Sequence, residues 1–80
     1  MQEKPSKDSI AALERAAKLA KSTDPILEAK IYYEMASQYR KMEDKINSLQ
    51  YYKQCLVLAK NTKDKDLMIR VKDDISKYLE

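Results

Sequence analysis

Apolar residues return along this chain every three or four positions, in four separate runs. Ile10, Leu13, Ala17 and Ala20 mark one face of a first helix over 9–21. Ala29, Tyr32, Met35, Ala36 and Tyr39 mark a second over 25–42. Ile46, Leu49, Tyr52, Cys55, Leu56 and Ala59 mark a third over 45–60. Met68, Val71, Ile75 and Tyr78 mark a fourth over 65–79. Apolar and polar residues never alternate over the length of a strand, so the pattern predicts an all-α fold. Stop and restart signals lie between the runs. Asp8 or Ser9 suits the first N-cap. Asp24 suits the second, with Pro25 at the first helical position, where its missing N–H costs nothing. Asp44 suits the third. Asn61 to Asp66 is polar and reads as a loop. Residues 1–7 read as a flexible tail, which leaves 8–80 as one domain. The links are short, so consecutive helices are expected to pack as antiparallel neighbours.

The chain also repeats itself. Leu19-Ala20-Lys21-Ser22-Thr23 returns as Leu58-Ala59-Lys60-Asn61-Thr62, 39 positions later. The same offset carries Ser9 onto Ser48, Ile10 onto Leu49, Leu13 onto Tyr52, Ala16 onto Cys55 and Ala17 onto Leu56. Downstream it carries Ala29 onto Met68, Tyr32 onto Val71, Ala36 onto Ile75 and Tyr39 onto Tyr78. One offset thus aligns the apolar faces of two helix pairs. Within the middle pair, Tyr32-x₂-Met35-Ala36-x₂-Tyr39 is followed by Ser48-x₃-Tyr52-x₂-Cys55-Leu56. These residues resemble the tetratricopeptide repeat, whose pattern sets aromatic and small residues at such spacings over two helices. Lys60 stands where that family closes on Pro, the turn Gly is replaced near Glu43, and the period exceeds the usual value of about 34.

The resemblance implies an antiparallel helical-hairpin array of about four helices. In it Tyr32 and Tyr39 fill the space between paired helices, while Ala36, Ser48 and Cys55 allow close approach. It sets the order of the helices as second, first, second, first, so each end lacks a partner. First helices of the family line a concave groove. Carried over, that face comprises Lys30, Tyr33, Ser37, Arg40 and Lys41 on the second helix and Lys72 and Ser76 on the fourth. Lys and Arg pair with carboxylates and Tyr offers flat contact area, so an acidic or C-terminal-carboxylate peptide is the expected ligand. The plainer reading is that these are ordinary solvated residues, since 16 of the 80 residues are Lys or Arg. A second resemblance concerns the ending IRVKDDISKYLE, which is similar to the third helix of microtubule-interacting-and-trafficking domains. That likeness implies binding of a short helical tail between helices. A third alternative is structural, with the unpaired end helices associating between chains into a homo-oligomer.

Composition narrows the chemistry. Gly is absent and Pro occurs twice, which fits a chain of helices. The net charge of +3 is spread over helices that carry both signs, with no basic block, so a nucleic-acid partner is not expected. With no His and a single Cys, Cys55, there is no nucleophile–imidazole pair, no disulfide within the chain and no zinc ligand set. Without Gly there is no phosphate-cradling loop. Asp64 and Asp66 lie far from any calcium-loop pattern. Asp73-Asp74 reads as a solvated helix face. A non-enzymatic protein-interaction module with no cofactor and no metal is therefore expected. The absence of a spanning apolar run or an apolar leader, with the lone cysteine, points to a cytoplasmic location and no membrane insertion.

Overall fold

The computed structural model describes residues 7–21 and 23–79. Four helices follow one another: α1 (Lys7–Lys21), α2 (Pro25–Lys41), α3 (Lys45–Thr62) and α4 (Lys65–Leu79). Consecutive helices pack as antiparallel neighbours, and α2 against α3 is the most extensive pairing. The all-α hairpin architecture is thus as the spacing predicted. The expected tail 1–7 lies outside the described residues except for Lys7, which opens α1. Asp8 and Ser9 are therefore inside that helix and do not cap it. None of the helices is long and apolar enough to cross a membrane, among the described residues.

Aspartates start the next three helices. Asp24 accepts a hydrogen bond from the Leu27 backbone N–H at 3.1 Å, Asp44 from that of Asn47 at 3.2 Å, and Asp64 from that of Leu67 at 3.2 Å. Each satisfies a donor that the first turn leaves without a partner. The ends of α2 and α3 are built alike. Asp44 N donates to Tyr39 O at 2.9 Å and Glu43 N to Arg40 O at 3.0 Å; Asp64 N donates to Ala59 O at 2.9 Å and Lys63 N to Lys60 O at 3.2 Å. These paired bonds are the Schellman closure. It places Glu43 at φ 61° and Lys63 at φ 59°, in the left-handed region that normally takes glycine. The expected 61–66 loop shrinks to Lys63 and Asp64, because this closure turns the chain in two residues. Thr62 remains helical, its hydroxyl donating to Leu58 O at 2.8 Å.

Packing falls into two clusters. Ile10, Ala17, Ala20, Ile31 and Met35 join α1 to α2. Ala29, Ala36, Tyr52, Cys55, Ala59, Leu67 and Val71 join α2, α3 and α4. Tyr32 and Tyr51 pack against both. The α2–α3 approach is close because small residues meet there. Ser48 is fully buried and its hydroxyl donates to Ala36 O at 2.8 Å. Tyr52, Met35 and Val71 are the largest fully buried side chains, each stabilising the fold by roughly 1.5–3 kcal/mol. Ile10, Leu13, Ala16, Ala17, Ala29, Tyr32, Ala36 and Tyr39 and the residues the 39-residue offset aligns with them are all buried or half-buried, so matched helices use the same face, whereas Leu19 is 75% exposed and its counterpart Leu58 half-buried. One expected core residue is not there: Ile46 is 81% exposed. It lies in the first turn of α3, where the chain has barely entered the interface.

Candidate functional site

The seven residues expected to line a groove do not form one surface. Tyr33 and Arg40 lie on the flank of α2 turned toward α4, with Ser37 beside them, and all three are half-buried. Lys30 and Lys41 point further outward and are exposed. Lys72 and Ser76 are exposed on the other flank of α4, each about 160° around the helix axis from Arg70 and Asp74 respectively. The residues of α4 that face α2 are instead Arg70 and Asp74. Carrying residue 33 forward by the repeat offset selects Lys72, but the helices meet two residues out of that register, so Asp74 takes the place.

Tyr33 is tied down at this seam. Its hydroxyl donates a short hydrogen bond to Asp74 Oδ2, and its ring meets Tyr52 edge-on at 5.8 Å. Burial, and then the Asp74 carboxylate as acceptor, push its hydroxyl well above the ordinary tyrosine range. It is a bridge between α2 and α4 and not a free contact surface. Behind it sits the Tyr52 hydroxyl, fully buried and without a hydrogen bond. Ser37 and Asp74 come near it without completing a bond, and Arg40 lies close enough to act on its charge. Burial raises the Tyr52 hydroxyl pKa, while Ser37 and Arg40 pull it back. A buried donor left unused costs on the order of 1–3 kcal/mol. It is therefore the atom in this seam with most to gain from an incoming acceptor.

Charge divides the face into two ends. Beside the start of α4, Lys30 and Arg70 mix with Glu34, Asp64 and Asp66 around a hollow of about 490 Å³. At the other end Arg40 and Lys41 close α2, and Lys45 Nζ lies 5.8 Å from the Tyr78 ring centroid in a cation–π contact. The sequence reading missed Arg70, Asp74, Tyr52 and Lys45. Asp74 carried a signal only as half of an Asp pair, and Tyr52 was legible as core but not as an unspent donor.

Cys55 is fully buried, and its thiol is pushed up from 9.0 to about 12, first by burial and then by Asp64. A thiolate does not form there at neutral pH, so the side chain is a small apolar filler. No family model matches this chain, nor does any curated protein or solved structure.

Proposed function

We propose that this chain is a tetratricopeptide-like protein-interaction module, without catalytic activity, whose α2–α4 face binds a carboxylate-bearing peptide. The seat lies at the basic end, with Arg40 and Lys41 as the charged partners and Ser37 and Tyr52 as hydroxyl donors; Lys30 lies at the opposite end of the face and outside it. One observation carries the reading: the buried, unbonded Tyr52 hydroxyl beside Ser37 and Arg40. Ser37 and Arg40 border it, and both donate to a carboxylate on this face. Asp74 is the resident carboxylate. It engages Tyr33 and repels a second acid, so it sets the affinity from within. Lys72 and Ser76 have no part in this seat.

The test uses a short acidic peptide with a free C-terminus, and the same peptide amidated and with Gln for Glu. Asp74→Asn is expected to tighten the acidic peptide and Arg40→Ala to weaken it, each by roughly tenfold for a charge-assisted contact. Equal affinity for the acidic and the neutral peptide, or no response to either substitution, would overturn the assignment. Both variants are checked by thermal melting, so that loss of the fold is not mistaken for loss of binding.

A further inference from the structure

On the opposite side of the molecule, α1 and α3 straddle α2 without extensive contact with each other. The gap between them is a groove built of three adjoining hollows of about 540, 300 and 340 Å³. The first two share Glu14; the second and third share Tyr32 and Gln54. Along α1 the groove runs from Ile10 to Lys21, about 17 Å at helical rise, or three turns. Its floor is aromatic. Tyr39 and Tyr51 stack at 5.6 Å with ring planes 5° apart, and Tyr32 leans on Tyr51 at 5.9 Å. Met35 lies beneath, and Val57, 57% exposed, stands on the rim with Leu58.

The ends of the groove differ in sign. Asp44 and Glu14 stand at one end. Lys18, Lys21 and Lys53 stand toward the other, and none of the three makes an ion pair among the described residues. Glu14 lines the same hollow as Lys18, one turn earlier on α1. In the hollow of Lys21 and Lys53 the carboxylate is that of Glu28, which is 5% exposed and already accepts from the Tyr32 hydroxyl at 3.0 Å. The far end of the groove, at Lys21 and Lys53, thus keeps a net positive charge. A flat aromatic floor between two helix walls suits a third helix, which would pack on both walls at ordinary interaxial distance.

We infer that this groove docks an amphipathic helix of a partner protein, about three turns long. Its apolar face lies on Tyr32, Tyr51 and Tyr39, and its acidic end meets Lys18, Lys21 and Lys53. A second copy of this chain is a poor occupant. The outward face of α1 offers Asp8, Ala12, Arg15 and Leu19, and that of α4 offers Asp66, Ile69, Asp73 and Ser76. Each has one large exposed apolar residue where the groove needs a stripe. The inference is independent of the α2–α4 seat.

The probe is a helical peptide of about twelve residues, capped at both ends, with leucines on one face, glutamates toward one end and lysines toward the other. Amide NMR follows its titration into the intact chain. Shifts are expected at Ala17, Lys18, Tyr51, Gln54 and Val57. Combined Lys18→Glu, Lys21→Glu and Lys53→Glu substitution, at exposed positions that leave the fold intact, is expected to weaken binding by at least about tenfold. Arg40→Ala, which disables the other seat, is expected to change nothing here. A peptide with its charges exchanged end for end is expected to bind reversed in direction, and one with glutamates replaced by lysines to bind the triple variant better than the original chain. Absence of binding, shifts confined to Ser37 and Arg40, or an affinity indifferent to the triple reversal would each overturn the proposal. So would shifts of the same groove amides on dilution of the free protein, which would make the occupant a second copy.

Discussion

Cys55 and Tyr32 show how burial at single residues sets the response of this fold to pH. The thiol of Cys55 and the hydroxyl of Tyr32 are both pushed up to about 12, Tyr32 by burial and by its bond to the Glu28 carboxylate. Tyr39, Tyr51 and Tyr52 shift in the same direction, each chiefly by burial. The folded state keeps protons that the unfolded chain gives up. The stability these groups contribute is therefore complete below about pH 9 and lost as pH rises from there toward 12. Melting temperatures are expected to be level across neutral pH and to fall steadily above about pH 9. Melting that is indifferent to pH up to about 11 would contradict this account of the tyrosines. In the folded state Cys55 is expected to resist thiol reagents that label it readily in urea. Much of this scale was legible in the sequence. Helical spacing alone places Tyr52, Cys55, Met35 and Val71 inside. It does not separate Tyr33 and Tyr51 from a binding surface, because their burial depends on the neighbouring helices: Tyr33 is held by Asp74 on α4, and Tyr51 is sandwiched by Tyr39 and Tyr32 from α2.

The elements show where a glycine-free chain accepts strain. Glu43 and Lys63 both hold the left-handed conformation, which costs a residue with a Cβ about 1–2 kcal/mol. The closing bonds from Asp44 and Asp64 offset that cost, and the same aspartates then cap the following helices. Lys63→Gly and Glu43→Gly are each expected to stabilise the fold by about 0.5–1 kcal/mol, less than the strain removed because glycine is freer when unfolded. The gain would appear as a rise in melting temperature of about 2–8 °C. Lys60→Gly, inside α3 and exposed, is expected to lower stability by about 1 kcal/mol. If glycine at 63 destabilised as much as glycine at 60, the turn would not be under the strain described. The aspartate starts of α2 and α3 were readable from the sequence; that of α4, at Asp64, was not, because Asp64 read as part of the polar loop. The end of α3 was not, since Asn61 and Thr62 look like loop residues and are held helical by a closure two positions further on. The register of α4 was also hidden, because a repeat offset fixes faces within helices but not the contact between one helix and the next.

For the whole molecule, two apolar clusters joined by Tyr32 and Tyr51 produce two opposed surfaces. On one, Tyr33 and Asp74 stitch α2 to α4 and leave Arg40, Ser37 and the Tyr52 hydroxyl beside the seam. On the other, α1 and α3 flank a tyrosine floor. The fold class and the order of helices could be read from periodicity, while the seat could not. Its decisive members, Tyr52 and Asp74, come from consecutive helices that the sequence does pair, but periodicity does not say that these two positions meet. The measurement that bears most directly on the account is an amide NMR titration with the acidic, free C-terminal peptide, set beside its amidated neutral form. The account predicts saturable shifts centred on Ser37, Arg40 and Tyr52 for the acidic peptide, larger in Asp74→Asn, and weak shifts for the neutral one. Shifts that avoid these residues, or that ignore the charge of the peptide, would contradict it.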